Sequence, residues 1–556
     1  MSSTHEVTNQ ALPLAGHNLF AGNHALRDAL GFNAPGLDTS ALTDLGEKLG
    51  RADMQEHARL ANQHKPQLHS HDRFGRRLDE VEFHPSYHVL MGRAAAAGLH
   101  GTPWVAGAQA HIERAAAFML FTELEPSVLC PISMTYAVTP ALRANAAIHA
   151  AWLPKLASTA YDSRLIPFDQ KSGLTMGMGM TEKQGGSDVR MNTTQATFDA
   201  HTPWGARYRL IGHKWFMSAP MCDAFLVLAQ TEAGLSCFFL PRTLPDDTSS
   251  DTSSGTRNGV FIQRLKDKLG NRANASCEVE FDGASAWLVG EAGRGVPQIL
   301  EMGTRTRLDC ALGTSGLMRQ ALSLALNHTA QRQAFGRLLI DQPLMRNVLA
   351  DLALESEAAT ALSLRLARAF ANDGEHESQM RRLLTPIAKF WVCKRGSHFA
   401  QEAMECLGGN GYVEDDGAGA MARLYREMPL NSIWEGAGNI MALDLLRALR
   451  KGDKAGDCLG ALQKELAPAR GNHTAFDAFA ARLFARIDAA SNEIEARRLA
   501  QDIALAVQAA LLAQHAPNFV FDAFCRTRLS ADWGHAFGTL PAGVEFDALI
   551  ARAMPH

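Results

Sequence analysis

The sequence predicts an α+β chain in four blocks, ordered helical, β, helical bundle and helical tail, on three observations. First, between about 180 and 292, short β-type runs (RYRLIGHKWFM, AFLVLAQTE, LSCFFLP, GVFIQRL, SCEVEFDGA) alternate with Gly, Pro, Asn and Asp punctuation. That pattern reads as an antiparallel sandwich or barrel. Second, on either side of it apolar residues recur at three- to four-residue steps. Leu344, Val348, Leu352, Ala359, Leu362, Leu366 and Phe370 share one face of an amphipathic helix. Third, the polar stretch RKGDKAGD at 450–457 separates the last helical block from the bundle. The expected domains are 1–179 (an N-terminal extension and helical domain), 180–293 (β), 294–452 (a four-helix bundle) and 453–556 (a further helical domain). The run DDTSSDTSSGTRNG at 246–259 reads as a polar loop.

Composition narrows the function. The chain has 556 residues, 46% hydrophobic and 20% charged, enough for several domains. A net charge of −4 gives no global attraction to nucleic acid or anionic membrane. Nine dispersed cysteines without a CxxC pair read as reduced thiols, not as a disulfide framework or a zinc site. His57, His64, His69, His71, His84 and His88 lack metal spacing and read as polar surface and interface residues, so no metal is expected. The N-terminus has no basic segment followed by an apolar core, and the most apolar run, 503–513, is too short for a bilayer and contains Gln508. A cytoplasmic protein without membrane association is expected.

Four separated motifs carry chemistry. MTEKQGGSDVR (180–190) offers hydroxyls and unhindered backbone N–H groups to a flavin or phosphate. In GHKWFMSAP (212–220), Trp215 can stack on a flat ring and Ser218 can bond its edge. In RQAFGRLL (332–339), Arg332 has the fork geometry for a pyrophosphate and Phe335 an apolar face for adenine. In ECLGGNGY (405–412), glycines end a helix and admit a close backbone or phosphate. A fifth stretch, NSIWEGAGN (431–439), sets the single carboxylate Glu435 between Trp434 and Gly436. Each has a plain alternative as a turn, a core aromatic or a surface arginine.

Taken in this order and spacing, the motifs resemble the acyl-CoA dehydrogenase family. MTEKQGGSD is similar to the family's MTE-P-x-AGSD turn, and REMPLNSIWEG to its R-D-(x)7-YEG segment. Arg426 stands nine residues before Glu435, and Arg307 twenty-five before Arg332, as in the family. The resemblance implies an N-terminal helical domain, a middle antiparallel β domain and a C-terminal four-helix bundle, here with an extra C-terminal helical domain. It implies FAD, held by Met180, Thr181, Gly186, Ser187, Trp215, Met217, Ser218, Arg332, Phe335, Gly408, Gly409, Ile433, Trp434, Ala437 and Asn439. It also implies that Glu435 is the catalytic base that takes the α-proton of an acyl-CoA thioester.

Several residues depart from the usual pattern. Ala437 lacks the hydroxyl the family's Thr offers, Glu405 replaces a common Gln, and Thr304-Arg305-Thr306-Arg307 replaces D-R-T-R. With the long extension and the tail, these resemble the AidB subgroup of the adaptive response to DNA alkylation. That resemblance implies weak isovaleryl-CoA dehydrogenase activity, sequence-nonspecific binding of double-stranded DNA and a homotetramer. Residues 453–556, however, carry ten Lys or Arg against twelve Asp or Glu, a net of −2. DNA binding there needs arginines sorted onto one face, and Arg447, Arg497, Arg498, Arg526 and Arg528 are the candidates. The alternative is a metabolic short- or branched-chain acyl-CoA dehydrogenase with an architectural tail.

Overall fold

The computed structural model describes residues 4–244, 256–414, 420–450, 457–489, 493–530 and 532–555. Most of the polar segments at 246–259 and 450–457 lies outside the described residues. The chain forms two compact units that cut across the sequence blocks. One comprises Met1–Glu56, His111–Leu124 and Arg307–His556, the other His57–Ala110 and Glu125–Thr306.

The second unit contains the β region. A hairpin of β1 (Gln67–His71) and β2 (Arg77–Glu82) comes first. The sequence reading has no strand there, because the pairing depends on a turn that periodicity does not reveal. Asp72 Oδ1 accepts the N–H groups of Phe74 (2.8 Å) and Arg76 (2.9 Å), and Gly75 sits at φ +78°. Seven further strands follow: β3 (Met176–Gly179), β4 (Gln195–Thr202), β5 (Gly205–Ser218), β6 (Ala224–Thr231), β7 (Gly234–Pro241), β8 (Val260–Leu265) and β9 (Ser276–Leu288). They pair in the order β8-β9-β5-β4-β6-β3, and β7 joins both β9 and β6. The ring β9-β5-β4-β6-β7 therefore closes into a barrel, which removes its open edges. The remaining pairings are antiparallel, but β3–β6 and β4–β6 are parallel, since β3 reaches its neighbour by a crossover and not by a hairpin. Strands β6 and β7 read as unbroken apolar runs because both faces are covered; Phe225, Leu226, Val227, Phe238 and Phe239 are all fully buried.

The first unit is helical. Its bundle uses α1 (Gly295–Thr329, from Arg307 onward), α2 (Pro343–Ala371), α3 (Glu375–Glu405) and α4 (Gly438–Leu449). Leu352, Ala359, Leu362, Leu366 and Phe370 are buried as predicted, whereas Leu344, in the first turn after Pro343, is 83% exposed. The tail is built into this bundle. Helix α5 (Ala496–His515) is buried at every position from Asp502 to Leu512, and its Gln508 accepts a hydrogen bond from the Trp391 indole at 3.1 Å. Arg319 of α1 donates to the carbonyls of Ala553 (2.6 Å) and Gly22 (3.2 Å), while Arg552 pairs with Asp28 and Glu357 at 2.6 and 2.9 Å. Among the described residues, no helix is long and apolar enough to cross a membrane.

His515, at the end of α5, has both ring nitrogens buried without a hydrogen-bond partner among the described residues and lies 5.3 Å from the Phe32 ring. Burial first, and the Arg552 charge second, push its pKa down to about 4 against the opposing pull of Asp28. A folded pKa below the unfolded 6.5 means the neutral ring is preferred in the fold. Its contribution is complete above pH 6.5 and is lost as pH falls from 6.5 toward 4. We expect about 2 kcal/mol of stability to disappear over that window. Denaturation midpoints measured against pH should show it, and His515→Leu should flatten the curve there.

Candidate active site

In the β unit, the turn MTEKQGGSD follows β3. Its organising residue is Glu182, which the sequence reading did not single out. The side chain is fully buried and accepts from Lys214 Nζ (2.6 Å), Thr194 Oγ1 (2.6 Å), Thr193 N (2.7 Å), Gln184 Nε2 (2.8 Å) and Thr193 Oγ1 (3.0 Å). Burial alone would raise its pKa, but the Lys214 charge and these bonds outweigh it and hold the carboxyl at about 2. A Glu within the Gly-rich turn and a Lys one residue before a strand Trp were the available signal. Strand alternation then places Lys214 inward and Trp215 on the opposite, half-buried face.

The two motifs of this unit meet through the Trp215 N–H, which donates to the Thr181 carbonyl at 2.8 Å. Asn192 Nδ2 donates to the Met180 carbonyl at 2.9 Å. A Cβ on Gly186 would lie 2.4 Å from Thr181 Oγ1, so this position has no room for a side chain. Ser218 shares a 2.9 Å hydrogen bond with Ser276. Lys266 sits 3.3 Å from the centre of the Trp215 ring and is balanced by Glu278 at 2.6 Å. Met217 is fully buried, so its side chain belongs to the barrel core. The half-buried Thr181 hydroxyl and the exposed Ser187 hydroxyl make no described hydrogen bond. With the open space beside Gly185 (φ +151°), whose own N–H is held by the Glu182 carbonyl, these hydroxyls and the Trp215 indole fit a flavin nucleotide.

In the helical unit, the Trp434–Glu435 turn is under backbone strain. Glu435 has φ +59° and Gly436 φ +105°. A left-handed non-glycine residue costs about 1–2 kcal/mol, so its surroundings must hold it there. Arg307 does so from one side, its Nε donating to the Glu435 carbonyl at 2.9 Å. Its Nη1 reaches Asp444 at 3.5 Å, and Arg382 reaches the same carboxylate at 3.1 Å. Asn431 holds the other side: its Oδ1 accepts from the Trp434 indole (3.1 Å), its Nδ2 donates to Thr314 Oγ1 (3.1 Å), and its carbonyl accepts from Lys389 Nζ (3.0 Å). Glu435 itself is half-buried. Ala437 caps α4 without a side-chain bond, as its missing hydroxyl requires. Asn439 accepts from Arg497 at 3.1 Å, and Ile433 is 62% exposed.

The remaining predicted cofactor residues lie on exposed features of this unit. Arg332 is hydrogen-bonded to the Asn9 carbonyl of the N-terminal extension, while Phe335 stands fully exposed at φ +51° on the tip of the hairpin joining α1 and α2. Gly408 (φ +59°) and Gly409 follow the end of α3, with open space where a Cβ would be.

The arginines proposed for DNA separate into two classes. Arg447, Arg497 and Arg498 are exposed, the last paired with Asp502 at 2.9 Å. Arg526 is half-buried and tied to the carbonyls of Gly543 (3.0 Å) and Ala542 (3.3 Å). Arg528 corrects the sequence reading. It is 2% exposed and ion-paired with Asp351 and, at 3.2 Å, with Glu355 of α2, so it is a buried structural cation that no phosphate can reach.

Comparison with known proteins bears on the same residues. Residues 9–163 match the adaptive response protein AidB N-terminal domain, 177–284 the acyl-CoA dehydrogenase middle domain, and 293–450 the acyl-CoA dehydrogenase C-terminal domain. The chain is 47% identical to the putative acyl-CoA dehydrogenase AidB of Escherichia coli K12, over 96% of this chain and 95% of that one. It is 32% identical to acyl-CoA dehydrogenase family member 11 of Caenorhabditis elegans, over 73% and 66% of the two chains. The crystal structure of C. elegans ACDH-11 in complex with C11-CoA superposes with a TM-score of 0.80 at 26% identity, covering 99% of this chain and 93% of that one. With the three domain signatures in order and near full-length identity to a relative of the same organisation, the chain belongs to the AidB branch of the acyl-CoA dehydrogenase family, as an oxidoreductase whose cofactor is FAD.

Proposed function

We propose that the chain oxidises short branched acyl-CoA thioesters of the isovaleryl type between Cα and Cβ, slowly. We further propose that it holds double-stranded DNA, as a cytoplasmic homotetramer of the response to DNA alkylation. The observation that carries the enzymatic part is the strained Glu435 turn, braced from both sides by Arg307 and Asn431. Strain of this kind persists where a side chain must be aimed. In this reading the Glu435 carboxylate takes the substrate's α-proton, and Trp434, locked by its indole bond, walls the acid from water. When bound, FAD supplies the two-electron acceptor for the β-hydrogen and its electron pair. Thr181, Ser187 and the glycines beside them orient that group, and Trp215 packs on it. The complex of the nematode relative with C11-CoA supports an acyl thioester as ligand here too. The missing Ala437 hydroxyl and Thr304 in place of an acid support slow turnover.

The enzymatic reading is tested by mixing yellow holoprotein with isovaleryl-CoA without oxygen. Bleaching of the flavin is expected, and unchanged absorbance would reject the reading. For DNA, the exposed Arg447, Arg497 and Arg498 are the contacts we retain. Three to five phosphate contacts give a log–log salt slope of roughly −3 to −5, with little sequence dependence. Reversing all three to Glu should abolish most of the affinity. Charge reversal is the right test, because cutting the tail away would strip Arg528 from Asp351 and Glu355. The burial of Arg528 specifically favours the second reading, a metabolic dehydrogenase whose tail is architectural. Absence of salt-dependent binding by the parent protein would make that reading the function.

A further inference from the structure

Lys389 lies in the middle of α3 with 1% of its surface exposed. It forms no ion pair among the described residues, and its one described hydrogen bond is to the carbonyl of Asn431. A buried ammonium with a single neutral acceptor is costly, so the fold keeps it for what it does there. The acceptor is the hub of the Glu435 turn. Asn431 uses its carbonyl for Lys389, its Oδ1 for the Trp434 indole and its Nδ2 for Thr314. Of the other cations at this turn, Arg307 is already shared with Asp444, Arg382 engages the same acid, Arg497 bonds the Asn439 side chain, and Lys394 lies beside Gly438. Lys389 is therefore the fully buried cation of this turn with no carboxylate partner among the described residues; Lys394, beside Gly438, is only part-buried. Lys389 and Glu435 both act electrostatically on one buried neighbour, Cys310. The buried Cys310 thiol, raised first by desolvation, is drawn down by Lys389 and pushed up by Glu435.

We infer that Lys389 is a positioning residue for α-proton abstraction, fixing the Asn431 carbonyl and hence the Trp434–Glu435 turn, and placing a positive charge behind the Glu435 carboxylate. The inference rests on the reading of Glu435 as the base. Two roles then separate cleanly. The hydrogen bond sets how often the carboxylate is aimed, and so the plateau rate. The charge sets where along pH the carboxylate becomes basic, and its removal raises the carboxylate's pKa.

The test is flavin reduction by isovaleryl-CoA across pH, with parent, Lys389→Met and Lys389→Gln holoproteins, and FAD content measured on each. Lys389→Met removes bond and charge. It should keep FAD, lower the plateau rate about tenfold and move the rising limb about one pH unit upward. Lys389→Gln keeps a donor for the Asn431 carbonyl, so it should retain most of the plateau and show the same upward shift. If the Met variant does not fold, the limb of the Gln variant decides. Parental rate and limb in both variants would overturn the inference. Failure of both to fold or to retain FAD would also overturn it, leaving Lys389 a packing residue. A parent that isovaleryl-CoA does not bleach rejects the dehydrogenase reading itself, and this inference with it.

Discussion

Glu435→Gln protein should be yellow, folded and about a thousandfold slower in flavin reduction by an acyl-CoA, the size of effect expected from losing a general base. The substitution keeps the shape and the left-handed backbone problem, since glutamine adopts φ +59° no more easily than glutamate. Arg307 bonds the backbone carbonyl of residue 435 and Asn431 bonds the Trp434 ring, so neither brace depends on the charge being removed. FAD content and melting temperature should therefore match the parent. That combination distinguishes a chemical role from a structural one. Stopped-flow absorbance with isovaleryl-CoA would measure it, and equal rates in variant and parent would remove Glu435 from the mechanism.

Arg528→Ala is expected to have the largest effect on stability. The side chain is 2% exposed and lies against Asp351 and Glu355, themselves 2% and 3% exposed. Removing the arginine leaves Asp351 with the Gly538 N–H at 2.9 Å and Glu355 with Arg395 at 3.0 Å. Deleting one partner of a buried ion-paired group costs about 3–5 kcal/mol, because the remaining charge loses its compensation without regaining water. Arg447→Ala, at an exposed position, should change stability by no more than about 0.5 kcal/mol. Chemical denaturation of the two variants side by side measures the contrast. Similar midpoints would mean that Arg528 is not the buried brace described above. Where the Arg528→Ala midpoint falls as expected, loss of DNA affinity in that variant is a symptom of unfolding, not evidence of a phosphate contact.

The comparison of sequence with structure follows the range of the interactions involved. The strands β6 and β7 announce themselves through local apolar runs, and α2 through its period, because neighbours along the chain carry that information. The Glu435 segment stands out in the sequence for a similar reason: Trp-Glu-Gly with an arginine nine residues earlier is a local pattern that carries the family resemblance. Its left-handed backbone does not, because the brace on its carbonyl comes from Arg307, over a hundred residues earlier. The β1–β2 hairpin was missed because Asp72 and Gly75 make its turn in a stretch with little alternation. Arg528 looked like a surface cation because an arginine in the tail carries no mark of its partners on α2. Lys389 and Glu182 were overlooked for the same reason: a buried charge is defined by what surrounds it in space.

The meeting of Arg319 with Gly22 and Ala553, and of Arg552 with Asp28, has a consequence for synthesis. Asp28 waits for a partner made more than five hundred positions later, and the bundle between them stays uncapped until the helix Phe546–Ala553 clears the ribosome. A nascent chain of this kind exposes apolar helix faces throughout its elongation, so chaperone demand should be set by translation time. A ribosome that stalls late should release a species prone to aggregation, not a smaller working enzyme.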